Sequence, residues 1–377
     1  MTSAVYLDFN ATSPVRPQAV KAMTDALGMV GNPSSVHGAG RAARALLEKA
    51  RTDVAALIGG PASTVVFTSG GTEANGLAIE SAVAAGAKRL IISAIEHDSV
   101  IEAAKACGVV TEILPVDRHG LADLSWLQAR LADWNAEEGR PFVALMAANN
   151  ETGVVQPVRE ASEIIRAHEG WLHVDGVQAA GKLAVDSRSL QADTYAVSAH
   201  KLGGPQGVGA LTFGPRASLS RRQHGGGQER GRRAGTENLP GIAGFAAAAR
   251  AALRDRNDNK AWRDAAVVEL KAGGGVIIGQ EAQRLDATLC VAFPGFAAER
   301  QVMSLDLAGV MVSAGSACSS GKVKASHVLQ AMGLEDLAAC AIRVSGGWST
   351  TASDWAAFVG AWQSMTTSFM ARRASAA

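Results

Sequence analysis

Seven short apolar runs, most of them separated by segments with helical patterning, constrain this chain more than any other feature of it. They are VVFTS (65–69), RLIISA (89–94), VTEILP (110–115), FVALMAA (142–148), WLHVD (171–175), TYAVSA (194–199) and GALTF (209–213). A short apolar run bounded by turn residues reads as a strand buried on both faces. Between them, TEANGLAIESAVAAG and VREASEIIRAHEG carry apolar residues at helical spacing, as does HGAGRAARALLEKARTDVAALI (37–58) ahead of the first run. Strand–helix alternation of this kind predicts an α/β fold, a mostly parallel seven-stranded sheet between layers of helices.

The pattern changes near residue 250. RAALRDRNDNKAWRDAAVVELKAG (250–273) reads as one long polar-faced helix. ATLCVAFPG (287–295), GVMVSAG (309–315) and CAIRVSGG (340–347) read as strands, and SDWAAFVGAWQSMTTSF as a closing helix. The expected organisation is a large domain over 17–250 and a smaller α+β domain formed by 1–16 and 251–377.

Composition narrows the function classes. The chain has 377 residues, 36 basic and 35 acidic side chains and a formal charge of +1, with 47% hydrophobic and 19% charged residues. That balance excludes wholesale disorder and argues against a dedicated nucleic-acid binder or a polybasic membrane protein. Cys107, Cys290, Cys318 and Cys340 form no CxxC pair, which fits a reducing compartment better than a disulfide framework or a zinc site. The start, MTSAVYLDFNATSP, does not read as a signal peptide, and IAGFAAAARAAL is interrupted by Arg250 and too short to span a bilayer. A cytoplasmic, soluble protein is expected. The eight histidines show neither HxxxH nor HExxH, so no metal site is expected.

In open parallel sheets, ligands sit beyond the carboxyl ends of the strands. The residues there are Ser69-Gly70-Gly71-Thr72, Glu96-His97, Asn149-Asn150-Glu151, Asp175 and Ser198-Ala199-His200-Lys201. Gly70-Gly71-Thr72-Glu73 opens a helix whose free N–H groups favour an anion such as phosphate, although an ordinary turn with Thr72 as N-cap fits equally. It is neither a Walker loop nor GxGxxG. Asp175 suits a protonated ring nitrogen or a metal, or else caps the next helix. Lys201, among small apolar residues, is either a desolvated nucleophilic amine or a solvated turn lysine. Taken together these parts describe a site for pyridoxal phosphate, with phosphate at a helix N-terminus, Asp under the pyridinium and Lys as Schiff base. Among the cysteines, 107, 290 and 340 read as small buried hydrophobes. Cys318 lies in SAGSACSSGKVKAS, where Gly and Ser predict an exposed loop and Lys322 and Lys324 favour the thiolate.

At this point a family resemblance emerges. YLDFNATSPV, NPSSVHGAGRAAR, FTSGGTEAN, EHDSV, NNETGVVQP, HVDGVQAAGK, SAHKLGGPQGVGAL, GGGQERGRRAGTEN, GSACSSGK and IRVSGGWSTT run in order from residue 6 to residue 351. The chain resembles a cysteine desulfurase of the NifS/IscS type, in the class V aminotransferase group of fold-type I pyridoxal phosphate enzymes. HVDxxQ with SxHKxxGPxGxG marks the group, and GSACxSG narrows it to desulfurases.

The resemblance implies pyridoxal 5'-phosphate as cofactor, L-cysteine as substrate and a sulfur-acceptor or iron–sulfur scaffold protein as partner. Lys201 would hold the cofactor covalently and later carry the α-proton, and Asp175 would keep the ring nitrogen protonated. Two opposite charges at about 4 Å are worth about 4 kcal/mol at an effective dielectric of 20, enough to do so. Gln178 would hydrogen-bond the cofactor's phenolic oxygen, with Asn150 beside it, and His97 would stack on the ring and transfer protons. Gly71, Thr72, Ser198 and His200 match phosphate-binding positions. Thr236 matches a threonine that reaches the phosphate of a partner subunit, implying a homodimer. Arg343, with Asn150, would hold the substrate carboxylate, and Cys318 would receive the sulfur as a persulfide.

RRQHGGGQERGRRAG (221–235) has no interleaved aromatic residue, so nucleic-acid binding is not expected. Gly71 and Gly76 stand where Ala and Asn are common in the family, and Phe9-Asn10 where Tyr-Ala is usual. Alternatives within the group are a selenocysteine lyase, a kynureninase or a small-amino-acid aminotransferase, and Cys318 argues against the last two. A scaffold protein with a vestigial site is the non-enzyme alternative. The pathway served, whether iron–sulfur assembly, nitrogenase maturation or transfer-RNA thiolation, is not legible in the sequence.

Overall fold

The computed structural model describes residues 4–255, 258–315 and 325–376. After a short strand β1 (Val5–Tyr6), seven strands build the central sheet: β2 (Val65–Thr68), β3 (Arg89–Ser93), β4 (Val110–Leu114), β5 (Phe142–Ala144), β6 (Trp171–Asp175), β7 (Thr194–Ser198) and β8 (Gly209–Phe213). Across the sheet they run β2-β8-β7-β6-β5-β3-β4, and every pairing is parallel except the two that β8 makes with β2 and β7. The expected α/β architecture and its mostly parallel sheet are therefore present, and each apolar run supplies one strand. Central strands β5 and β6 are buried along their whole length, which is why they show no alternation in the sequence. The run 142–148 leaves regular pairing after Ala144, but Leu145 and Ala147 still donate backbone hydrogen bonds to β6.

Helices cover the sheet. Gly38–Ile58 starts under the side chain of His37, which accepts from the Gly40 N–H, and ends at Gly59, whose φ of 69° is the left-handed conformation that glycine tolerates. Helix Leu239–Ala252 is Ala- and Gly-rich, buried on nearly every side, and packs on helices Pro17–Leu27 and Gly38–Ile58. This corrects the expectation of one helix over 250–273: one helix ends at Ala252 and another starts at Asn259. A helix surrounded by core cannot continue into a charged segment, and Asp and Asn compete for backbone hydrogen bonds in non-helical conformations.

The remaining strands form a second sheet. β9 (Val276–Ile278), β10 (Thr288–Ala292), β12 (Ser313–Ala314) and β13 (Ala341–Ser345) run in the order β12-β13-β10-β9, antiparallel throughout. β11 (Val310–Met311) pairs in parallel with β1, and Leu7 enters the second core beside Val291, Val344, Trp355, Phe358 and Trp362. Helices Asn259–Ala272 and Ala352–Ala376 pack together over it. β1 and β9, two and three residues long, are too short to carry a periodic signal.

What joins the two sheets positions the site. Ile95, just after β3, and Met146, just after β5, pack with Ile278, Cys290, Val328 and Leu329 from the second unit. This contact lays β13, and with it Arg343, over the carboxyl ends of the central strands. No helix among the described residues is long and apolar enough to cross a membrane.

Candidate active site

Between those strand ends and β13 lies a cavity of about 300 Å³. Gly71, Thr72, His97, Asn150, Asp175, Gln178, Ser198, His200, Lys201 and Arg343 all line it. Thr236 is exposed on the segment before helix Leu239–Ala252 and does not line the cavity of its own chain. Cys318, with Lys322 and Lys324, lies outside the described residues.

Asp175 closes β6 and is nearly buried, at 7% exposure. Its Oδ1 accepts from the Val177 N–H at 2.9 Å and its Oδ2 from Asn75 Nδ2 at 2.8 Å. Both oxygens of this carboxylate are thus met by N–H donors. A second acid lies nearby. Glu96 is fully buried and its carboxyl is pushed well above the usual range, first by burial and then by the charge of Asp175. The fold thus sets two carboxyls in unlike surroundings behind the same wall.

Asn75, which no sequence motif singles out, ties this wall together. Besides Asp175, its Nδ2 donates to Ser99 Oγ at 2.9 Å, and its Oδ1 lies 3.0 Å from His173 Nε2. Ser99 in turn meets His97: the Ser99 N–H donates to His97 Nδ1 at 3.0 Å and its Oγ lies 2.8 Å from the same nitrogen. Because Nδ1 accepts a backbone N–H, the neutral imidazole carries its proton on Nε2. The available signal for Asn75 was a polar side chain on the buried stripe of helix Gly71–Ala84, among Ala74, Leu77 and Ala78.

That helix begins at Gly70 without a side-chain cap, so its first N–H groups have no such partner. Thr72 is therefore not the N-cap but a residue of the first turn. A Cβ added at Gly71 would come within 2.8 Å of Val177 Cγ2 and 3.6 Å of Ser198 Cβ, both on residues that line the cavity. The glycine leaves a cradle between helix start and strand end. Nearby, His200 is held neutral, its pKa brought down to about 4 by burial and then by Lys201 and Lys182.

Lys201 lies in the turn Ala199–Leu202 after β7. Its ammonium is not a solvated surface charge: Nζ donates to the backbone carbonyls of Asn10 at 2.6 Å and Ala11 at 2.7 Å. Gln178 Nε2 also donates to the Asn10 carbonyl, at 2.9 Å. Arg343 approaches from β13, where NH2 donates to Asp8 Oδ1 at 2.8 Å and NH1 to the Asn150 carbonyl at 3.3 Å, while its buried Nε meets no partner among the described residues. Asp8 is fixed in turn by the Ser313 hydroxyl at 2.7 Å. Asn10 stood out in the sequence only as a departure from the family's usual residue and Asp8 not at all, because their role depends on the amino-terminal segment crossing to both sheets.

These residues fit a phosphorylated pyridine aldehyde. The uncapped helix start and the Gly71 cradle suit a phosphate, Asp175 a protonated ring nitrogen, and Lys201 the aldehyde. Arg343, a guanidinium lining the cavity, suits a substrate carboxylate. Among the described cysteines, Cys290 and Cys340 are buried and Cys107 half-buried, and none lines the cavity. Burial and then Glu151 push the Cys290 thiol up, away from reactivity. Among the described residues, no group of three or more His, Cys, Asp or Glu is arranged to hold a metal ion.

The comparisons with known proteins place the chain in one family. The family model described as aminotransferase class-V matches residues 5–358. A cysteine desulfurase of Cereibacter sphaeroides is 42% identical over 362 residues, 93% of this chain and 92% of that one. Among solved structures, a NifS-like protein from Rickettsia africae superposes with a TM-score of 0.88 at 31% identity, covering 96% of this chain and 99% of that chain. SspA, solved in complex with cysteine, superposes with a TM-score of 0.79 at 26% identity, covering 92% of this chain and 100% of that one.

Proposed function

Because this chain belongs to the class-V aminotransferase family of pyridoxal phosphate enzymes, we propose that its cavity is the active site of a cysteine desulfurase, which takes the sulfur of L-cysteine and releases L-alanine. The observation that carries this reading is the convergence of Lys201, Asp175, an uncapped helix start and Arg343 on one cavity. Bound there, pyridoxal 5'-phosphate would supply an electron sink for the substrate α-carbon.

The residues of the chain account for the rest. Lys201 would hold the cofactor aldehyde covalently and, once displaced by substrate, take the α-proton on Nζ. Asp175, held in place by Asn75 and the Val177 N–H, would hold the proton on the ring nitrogen. Gly71, Thr72, Ser198 and His200 surround the phosphate position, Gln178 would meet the phenolic oxygen, and His97 would offer Nε2–H to the ring face or a transferring proton. Arg343 and Asn150 would orient the substrate carboxylate, which fixes the α-proton near Lys201. The thiolate of Cys318 would then attack the substrate sulfur: an S–S bond forms, the C–S bond breaks, and protonation of the organic remainder completes alanine. The persulfide on Cys318 would pass its outer sulfur to an acceptor, an iron–sulfur scaffold or related carrier.

In this reading residues 17–250 carry the cofactor side of the site, and residues 1–16 and 251–377 bring Arg343 and Cys318 to it. A homodimer supports the role of Thr236, which is exposed and outside its own cavity. A cytoplasmic location agrees with the widely spaced cysteines.

Two variants test the proposal. Lys201→Ala should abolish the visible Schiff-base band of the purified protein. Cys318→Ser should keep that band but lose sulfur release from cysteine. Full desulfuration by the serine variant refutes the persulfide role, and parallel assays with selenocysteine separate a lyase of that substrate.

A further inference from the structure

Glu151 stands in the turn that follows β5 and is buried. Its own side fixes it: Asn149 Oδ1 accepts from the N–H groups of Glu151 and Thr152, each at 2.9 Å, and Asn149 Nδ2 donates to the Ile95 carbonyl at 3.2 Å. From the second unit Ser326, also buried, donates its hydroxyl to Glu151 Oε2 at 2.6 Å and accepts from the Leu329 N–H at 3.1 Å. A hydroxyl has one proton to give, and here Glu151 takes it. Gly315 meets the same oxygen, since a Cβ built there would come within 2.6 Å of Glu151 Oε2 and 3.4 Å of Ser326 Cβ. The missing side chain is what lets this backbone approach the carboxylate so closely. Beside Ser326, His327 Nε2 lies 3.1 Å from the Glu96 carbonyl, a second tie between the same two regions. Glu151, Gly315 and His327 all line the cavity, together with Lys201 and Asp175.

Gly315 and Ser326 flank Cys318 in the sequence. We propose that Glu151 is a positioning residue for sulfur transfer: its one buried carboxylate clasps both flanking residues and so sets where the chain carrying the Cys318 thiol is tethered to the cavity. The proposal rests on the reading of Cys318 as the sulfur acceptor. Cys318 is the third residue after Gly315, so at most about 11 Å of extended chain separates it from the cavity wall. The step served is the attack of the Cys318 thiolate on the substrate sulfur, in which the S–S bond forms and the C–S electron pair stays with the organic remainder. A tethered thiol reacts at an effective concentration set by where its chain is anchored. A thiol freed to sweep a radius about twice as large is diluted about tenfold, as the cube of that radius. Cofactor and substrate binding are separate from the clasp, because Asp175, Lys201 and Arg343 are held by other partners.

Rapid mixing of the cofactor-loaded protein with L-cysteine separates the stages. In Glu151→Ala the visible band, and the cysteine concentration that half-saturates its change, should stay within about twofold of wild type, while persulfide formation on Cys318 in a single turnover, followed by mass spectrometry, slows about tenfold. Glu151→Gln keeps an oxygen for the Ser326 hydroxyl and should recover most of that rate. A lowered melting temperature with an unchanged persulfide rate overturns the proposal, as does a loss of cysteine binding that accounts for the slower rate. Should Glu151→Ala fail to fold, Gly315→Ala decides, because its methyl displaces the carboxylate from Ser326: slow persulfide formation with an intact band supports the clasp, and a wild-type rate overturns it. In protein free of cofactor and substrate, the Leu329 amide, which Ser326 caps, should exchange its hydrogen about tenfold faster in Glu151→Ala or Gly315→Ala than in wild type, the worth of one hydrogen bond. Equal exchange overturns the clasp. A wild-type protein that forms no persulfide from cysteine refutes the proposed function instead, and the exchange measurement still decides whether Glu151 anchors this segment.

Discussion

Asn75 and Asp175 share a hydrogen bond of 2.8 Å, and through Asn75 the carboxylate is connected to Ser99 and so to His97. One helix residue thereby links the acid to the serine that anchors the imidazole. Asn75→Ala should leave Asp175 and His173 each short of a partner, at about 1–3 kcal/mol for a buried group. The expected outcome is a lower melting temperature together with weaker retention of pyridoxal phosphate, measured by titrating the cofactor into the apoprotein.

Gly71 and Val177 should behave as a pair. Gly71→Ala puts a Cβ 2.8 Å from Val177 Cγ2, a stiff β-branched neighbour that cannot swing away. Cofactor affinity should fall in that variant and recover in Gly71→Ala with Val177→Ala. A double-mutant cycle in which the two effects simply add would show that no coupling exists.

Arg343 is held in place by Asp8, so the two positions should fail differently. Arg343→Leu should raise KM for cysteine by about ten- to a hundredfold, the value of a charge-assisted hydrogen bond, while the visible band persists. Asp8→Asn keeps the arginine but loosens it, and should raise KM by less. Steady-state kinetics on both variants checks the order.

Acid should unfold the protein partly through His173. Its pKa is brought down to about 4 by burial, below the value of about 6.5 that a histidine has in an unfolded chain. The unfolded state therefore binds more protons between those limits. The stability this group contributes is complete above about pH 6.5 and is lost as pH falls towards 4, on the order of 3 kcal/mol in all. Urea unfolding at stepped pH should show that slope, and His173→Gln should flatten it.

Glu229 should matter for stability although it is remote from the chemistry. It is buried, accepts from Arg51 at 2.6 and 3.0 Å and from the Phe67 N–H at 2.9 Å. Those bonds hold Glu229 and Arg230 at φ of 48° and 58°, a strained conformation for residues with side chains. Glu229→Gln removes the more buried of the two carboxylates that Arg51 meets, Glu48 being the other, and should cost about 1–3 kcal/mol in denaturant unfolding.

The amino-acid sequence by itself determined the architecture and most of the site. Both-face burial writes an unbroken apolar run at each central strand, and ligand chemistry at strand ends writes polar residues immediately after them, as at Asp175 and Lys201. Both signals are local, so they survive in one dimension. What only the tertiary structure decided is which groups share a hydrogen bond across the chain. Asn75 reaching Asp175, Asp8 steadying Arg343, and Asn10 joining Gln178 to Lys201 span separations of 100, 335 and up to 191 residues. No periodicity or spacing encodes such pairings. The first exists because a helix packs its buried face on β6, and the other two because the amino-terminal segment and β13 lie over the carboxyl edge of the central sheet, where buried polar groups must find partners or be destabilising.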